Sequence, residues 1–215
     1  MKLEIGSDKP ENFIEYWPGQ YDTFSYLEYA TGIPHVLFAV TTLKENGQPN
    51  INFHAWSCFQ GDGGGFFAIL AGIYQHTHTY ANIKRTGEFC INFLSLLYYD
   101  KLMDTIKNNS DDENEFDAGK FTIEEAKTVT APRIMESFLS LECKCQSISD
   151  LSDAGISALI IGKVMHLSAD KDFALGLDNK YSKDGFMFNI HAPKNLITGE
   201  DDVSGVATLK VEREY

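Results

Sequence analysis

Short apolar runs rich in β-branched and aromatic side chains recur along this chain, separated by glycine and acidic turns. The first, residues 35–43, ends at Lys44-Glu45-Asn46-Gly47. Asn-Gly between two such runs predicts a hairpin, because both residues tolerate positive φ. The second strand, 49–59, alternates loosely, with Ile51, Phe53 and Ala55 on one side and Asn52, His54 and Trp56 on the other. A glycine-rich turn at 61–65 leads to 66–73, which is apolar on both faces and so predicts a central, covered strand. Thr79 is expected to cap a helix running to Thr86, with Gly87 as its left-handed terminator. Residues 88–94 read as a fourth strand and 95–109 as a helix. Two long β runs, 138–149 and 156–167, flank a turn at 150–155 and predict a second hairpin; 185–188 reads as a short strand. The first thirty residues are irregular and aromatic-rich, an arm draped over the domain. About six strands and two mid-chain helices favour a mainly β fold, a single closed barrel with α decorations.

Composition narrows the function. With 215 residues, 43% hydrophobic and 23% charged, the chain has an ordinary globular balance and excludes disorder, collagen and simple coiled coils. Eighteen Lys and Arg against 31 Asp and Glu give a formal charge of −13, a field that repels phosphate backbones, so no nucleic-acid partner is expected. The longest apolar stretch, 65–74, is about half of what a membrane helix needs, and residues 1–6 show no signal-peptide core. Four cysteines, Cys58, Cys90, Cys143 and Cys145, make no disulfide framework in a chain this long. The expectation is a soluble cytoplasmic protein without a membrane partner.

Several motifs resolve into ordinary structure. The 61–65 turn is followed by a strand and has Phe66 where a dinucleotide fingerprint needs its third glycine. His76 and His78, with His54 upstream, have no Cys or carboxylate at ligand spacing, so no metal site is expected. The acidic run 111–117 reads as a solvated loop without EF-hand spacing. Cys143 and Cys145 share a strand face and read as core or interface residues. Ser57 lacks a nucleophile-elbow context, and no catalytic residue is assigned.

Two segments carry more. In His76-Thr77-His78-Thr79-Tyr80-Ala81-Asn82-Ile83, hydroxyl and imidazole groups crowd a helix N-terminus, where free N–H groups and the dipole favour an anion; an ordinary threonine cap is the competing reading. Trp56-Ser57-Cys58-Phe59 is a strand end with two aromatics around small polar groups, either core or the edge of a cofactor slot.

Taken in order, Val40-Thr41-Thr42-Leu43, Asn46-Gly47, Pro49-Asn50, Trp56-Ser57-Cys58-Phe59, the stretch Thr79 to Phe89 and Ile91-Asn92-Phe93 resemble the flavin reductase-like family, particularly its flavoredoxin-like branch. Ala131-Pro132-Arg133-Ile134, Glu136-Ser137, Leu141-Glu142-Cys143 and Ile160 to Val164 continue the resemblance, which covers about 33–170. It implies an FMN-binding split β-barrel of Greek-key type and a homodimer with one FMN per protomer. The whole chain, 1–215, would be one such domain, with an N-terminal arm at 1–32 and a C-terminal extension at 171–215. The implied activity is an FMN-dependent NAD(P)H:flavin oxidoreductase, passing electrons between a nicotinamide nucleotide and flavin or a redox partner protein. The alternative is a flavoredoxin-like electron carrier, or a flavin-binding protein, without its own NAD(P)H activity. Carried over by position, Trp56, Ser57, Cys58 and Phe59 would line the flavin ring, Thr41 and Thr42 would lie nearby, and His78, Thr79 and Asn82 would hold the phosphate. The family often has a Lys or Arg just before the phosphate threonine; this chain has Thr77 and His78 there. Neutralisation would then fall to the helix dipole, Lys84, Arg85 or the distant Arg133.

Overall fold

A computed structural model describes residues 2–107, 110–177 and 180–213. The chain divides into two compact units, one of residues 2–35 with 188–207 and the other centred on 36–187.

The smaller unit joins the N-terminal segment to part of the tail. Its helices are α1 (Gln20–Thr23) and α2 (Tyr26–Thr31). Ser25 caps α2 by accepting from Leu27 N, and Gly32 closes it at φ 55°. Phe13 and Tyr29 are buried, and the His191 ring lies 4.9 Å from that of Tyr29. Lys194 N donates to Tyr29 O, while Lys194 Nζ meets Gly199 O and Asp201. The aromatic-rich arm is therefore packed against tail residues within its own unit.

The larger unit is built on antiparallel strands: β1 (His35–Leu43), β2 (Pro49–His54), β3 (Ser57–Asp62), β4 (Gly65–Tyr74) and β5 (Glu88–Phe93). The short β6 (Ile123–Glu124) and β7 (Arg133–Ile134) pair with each other, and β8 (Leu139–Asp150) with β9 (Ser157–Ala169) forms the long hairpin. Helices α3 (His78–Thr86), α4 (Tyr99–Thr105), α5 (Glu115–Gly119) and α6 (Lys171–Ala174) decorate it. Beyond it are β10 (Met187–Ile190) and β11 (Gly205–Thr208). The main ladder runs β11-β10-β1-β5-β8-β9-β4-β3, and β2 pairs with β1 off this path.

This mainly β architecture is the expected class; the residues alone suggested a closed barrel, and the split barrel that the resemblance implied is the one found. Among the described residues β2 and β3 share no ladder, so the barrel is split rather than continuously closed. The predicted strand 49–59 is accordingly two strands. Residues 49–54 pair with β1 and 57–62 with β4, and the chain changes partners at Ala55-Trp56.

Other boundaries moved for local reasons. Thr77, not Thr79, caps α3: it has extended backbone and its hydroxyl accepts from Tyr80 N, which leaves Thr79 inside the first turn. Gly87 terminates that helix at φ 69°, as expected. The predicted helix 95–109 is a 3-10 turn, Leu96–Tyr98, followed by α4; Asn108 and Asn109 lie outside the described residues. The acidic run 111–117 is not wholly solvated, because Asn114 caps α5 and Glu115 is buried. The short strand expected at 185–188 begins at Met187. On β4, Ala68 and Leu70 are buried whereas the alternate Phe67, Ile69 and Ala71 are half-buried, so one face is covered more fully than the other, and Phe66 at the strand start is exposed. No helix among the described residues is long and apolar enough to cross a membrane.

The core gathers Phe38, Val40, Leu70, Ile83, Phe89, Ile91 and Ile160. Phe89 sits there only because β9 carries Gly162 opposite it: a Cβ at 162 would overlap the Phe89 ring. Gly162→Ala is therefore expected to destabilise the protein by about 1–3 kcal/mol through overpacking, read as a lower Tm. The same substitution in a Phe89→Leu background should cost clearly less; an equal cost in both backgrounds would refute the close-approach explanation.

Candidate functional site

A lattice of buried polar side chains supports one end of β1 and β5. Asn92 on β5 donates to Thr41 Oγ1 (3.1 Å), and its Oδ1 accepts from Ile134 N (3.0 Å) and Ser140 Oγ (2.9 Å). Thr41 in turn donates to Pro132 O. The neighbouring Thr42 hydroxyl accepts from Asn82 Nδ2 of α3 at 3.0 Å. These groups are almost wholly buried, where an unmet hydrogen bond costs about 1–3 kcal/mol. Their mutual pairing consequently fixes α3 against β1.

The first turn of α3 faces a cavity of about 180 Å³. Thr77, His78 and Thr79 line it from the helix, Asn50 and Asn52 from β2, and Glu115 from α5. Asn50 Nδ2 donates to Thr79 Oγ1 at 3.1 Å, so the oxygen is used as an acceptor and the hydroxyl proton is directed elsewhere. His78 Nε2 lies 2.8 Å from the exposed Asp111 carboxylate. Its Nδ1 is buried without a hydrogen-bond partner among the described residues.

Charge at this cavity is arranged unusually for an anion site. Lys44, at the end of the β1–β2 hairpin, is buried; its Nζ lies 3.0 Å from Glu115 Oε1 and donates to the carbonyls of Ser110 and Glu113. Burial pushes the Glu115 carboxyl up from its ordinary value, against the lowering effect of Lys44. None of the three basic alternatives for neutralising a phosphate, Lys84, Arg85 and the distant Arg133, lines this cavity. Lys84 lies over the Tyr80 ring, Arg85 donates to Leu43 O, and buried Arg133 pairs with Glu124 and Glu142.

Of the residues singled out in the sequence, His78 and Thr79 meet at the cavity. Thr41, Thr42 and Asn82 form the buried lattice behind the helix. Trp56, Ser57, Cys58 and Phe59 do not line this cavity; they lie where β2 gives way to β3. There Trp56 is half-buried, with its carbonyl accepting from Ala71 N, and Cys58 is exposed. Ser57 Oγ donates to Ala55 O, and the Phe59 ring packs 5.6 Å from Phe38 and 5.5 Å from Phe93. Sequence reasoning missed Asn50, Asn52, Lys44 and Glu115. A helix cap at Asn114 before Glu115-Phe116 was the available signal for the last.

A family model described as the flavin reductase like domain matches residues 31–184. The chain belongs to the flavin reductase-like family. A flavin is the cofactor that this membership implies. Among curated proteins, an uncharacterized protein of Methanothermobacter thermautotrophicus is 32% identical over 141 residues, 65% of this chain and 66% of that protein, slightly under two-thirds of the relative's length. Among solved structures, nitrilotriacetate monooxygenase component B from Bacillus cereus matches with a TM-score of 0.74 at 16% identity, covering 100% of this chain and 99% of that one. Flavoredoxin from Methanosarcina acetivorans matches with a TM-score of 0.70 at 13% identity, covering 100% and 95%. At these identities the two structures share the fold, a split barrel.

The Lys44–Glu115 pair is dry enough that neither partner can be removed singly without cost. Lys44→Met is expected to destabilise the protein by about 3–5 kcal/mol, the usual penalty for stranding a buried charge. Adding Glu115→Gln should restore much of that loss in denaturant unfolding. Lack of any recovery in the double variant would mean the two side chains are not energetically coupled.

Proposed function

We propose that this protein is an FMN-binding oxidoreductase that passes electrons between a nicotinamide nucleotide and flavin or a redox partner. The observation that carries the reading is the cavity at the α3 N-terminus, where Thr77, His78 and Thr79 stand beside Asn50 and Asn52. A helix start combines unmet N–H groups with a favourable dipole for a phosphate. The donor set fits such a group: the Thr79 hydroxyl proton is left available by its bond from Asn50, and His78 Nδ1 is buried and unpartnered among the described residues.

In this reading Thr79 and His78 hold the phosphate. Asn82, Thr41 and Thr42 keep α3 at a fixed distance from β1, through the Asn82–Thr42 and Asn92–Thr41 bonds. The strand β2 connects the cavity at Asn50 to Trp56, so a ligand lying along it would extend toward the 56–59 segment. There Trp56 and the backbone of Ser57 and Cys58 would flank the flavin ring, with Phe59 supporting them from the core side. Bound flavin supplies the hydride-accepting and hydride-donating chemistry, so these residues need only bind, orient and exclude water. A second copy of the chain would cover apolar side chains that lie open here, among them Phe66 on β4 and Met165 and Leu167 on β9. This supports a homodimer.

Purified, dialysed protein is expected to show the two-band flavin spectrum after FMN is added and the mixture is gel-filtered. Thr79→Val should weaken FMN binding about tenfold or more, the equivalent of roughly 1.5–3 kcal/mol for a hydrogen bond to a charged group. Thr79→Ser should bind as the wild type does. Unchanged affinity in the valine variant would remove Thr79 from the phosphate site. NADH or NADPH oxidation by the loaded protein separates the reductase from a carrier without that activity, which would show almost none.

A further inference from the structure

Glu115 is the discordant residue in this cavity. It is 2% exposed, and Oε1 is paired with Lys44. Oε2 is buried and has no hydrogen-bond partner among the described residues, although Glu115 lines the same cavity as Thr77, His78 and Thr79. A buried carboxylate oxygen without a donor is costly, and beside a phosphate dianion it would add like-charge repulsion. Both costs vanish if a hydrogen lies between the carboxylate and the ligand.

We propose that Glu115 determines ligand specificity here by sharing one proton with the bound phosphate monoester, so that the cavity takes the ester as its singly protonated form. The proposal rests on the FMN reading and adds the protonation state at which that ligand binds. The bond would be of the charge-assisted O–H···O type, which is shorter and about twice as strong as a neutral one.

The surrounding charges leave this role to Glu115. From β1, Lys44 is bonded to Glu115 and to two carbonyls. From α3, His78 brings an Nδ1 without a partner among the described residues, with Asp111 on its far nitrogen. From α4, Thr105 and Ile106 reach the lining; Lys101 lies over the Tyr98 and Phe121 rings, and Asp104 pairs with Lys107. The β2 face contributes the neutral Asn50 and Asn52. Burial, by raising the Glu115 carboxyl, acts in the same direction.

The proton count fixes the expected result. A phosphate monoester loses its second proton near pH 6. Above about pH 7 the free ester is a dianion and Glu115 is a carboxylate paired with Lys44, so binding must take up one proton and affinity falls about tenfold per pH unit. FMN affinity is measured by fluorescence quenching from pH 6 to 8.5, with riboflavin in parallel, for the wild type and Glu115→Gln. The wild type should show the slope for FMN and none for riboflavin. Glu115→Gln, which can donate to the dianion, should be flat above pH 7 and tighter than wild type at pH 8.5. Calorimetry of wild-type FMN binding at pH 8, in buffers of different ionisation enthalpy, should read close to one proton taken up and needs no variant. A slope that survives in Glu115→Gln assigns the proton to His78 and overturns the proposal. Tight FMN binding with a flat wild-type profile overturns it while leaving the flavin reading intact. Failure to bind FMN at any pH overturns both.

Discussion

A side-chain amide placed in a dry interior has to meet its hydrogen bonds within the protein, and Asn92 meets them by joining four pieces of chain. It sits on β5 and bonds Thr41 of β1, Ile134 of β7 and Ser140 of β8. The apolar core alone would tolerate sliding of one strand against another; three directional bonds at one point do not. Register across β1, β5 and β8 is therefore set where the polar lattice lies, and the adjacent Thr42–Asn82 bond extends that certainty to α3.

The same rule operates on charge. Glu142 on β8 is fully buried and collects the backbone of Lys127 and Thr128, the Thr128 hydroxyl and the Arg133 guanidinium. Burial would raise its carboxyl, yet these bonds outweigh it and hold Glu142 below its ordinary value. Glu115 follows the rule only halfway, with one oxygen met by Lys44 and the other buried without a hydrogen-bond partner among the described residues. Two solvent-inaccessible carboxylates thus have opposite shifts: burial dominates at Glu115, and the larger set of donors dominates at Glu142. The well-satisfied one ties the 127–133 segment down, and the half-satisfied one is the residue on which the proposed proton sharing rests.

Much of the architecture was legible because it depends on neighbours in sequence. The hairpin at Asn46-Gly47, the strands on either side of it, the Gly87 helix stop and the long 138–167 hairpin follow from turn chemistry and two-residue periodicity. Where the reading slipped, a distant partner decided. The run 49–59 looks continuous, but β2 belongs to β1 and β3 to β4, so the chain breaks at Trp56. Both Thr77 and Thr79 are good caps, and Thr79 was drawn inward by Asn50, 29 residues away.

The candidate site divides along the same line. The ordered motifs from Val40 to Val164 were enough by themselves to identify the family, and the hydroxyls and imidazole crowded before Tyr80 marked the helix start for which phosphate binding is proposed. The surroundings of that helix were decided by tertiary structure alone. Asp111 to Asp117 is a local excess of carboxylates, and the Asn114 cap marks Glu115 as a helix start without showing that it is buried. Burial against Lys44, 71 positions earlier, makes it different. Periodicity and turn preferences are local properties that a chain carries before it folds, whereas the protonation of a carboxyl depends on which charges and how much water surround it, and that exists only once the chain has closed.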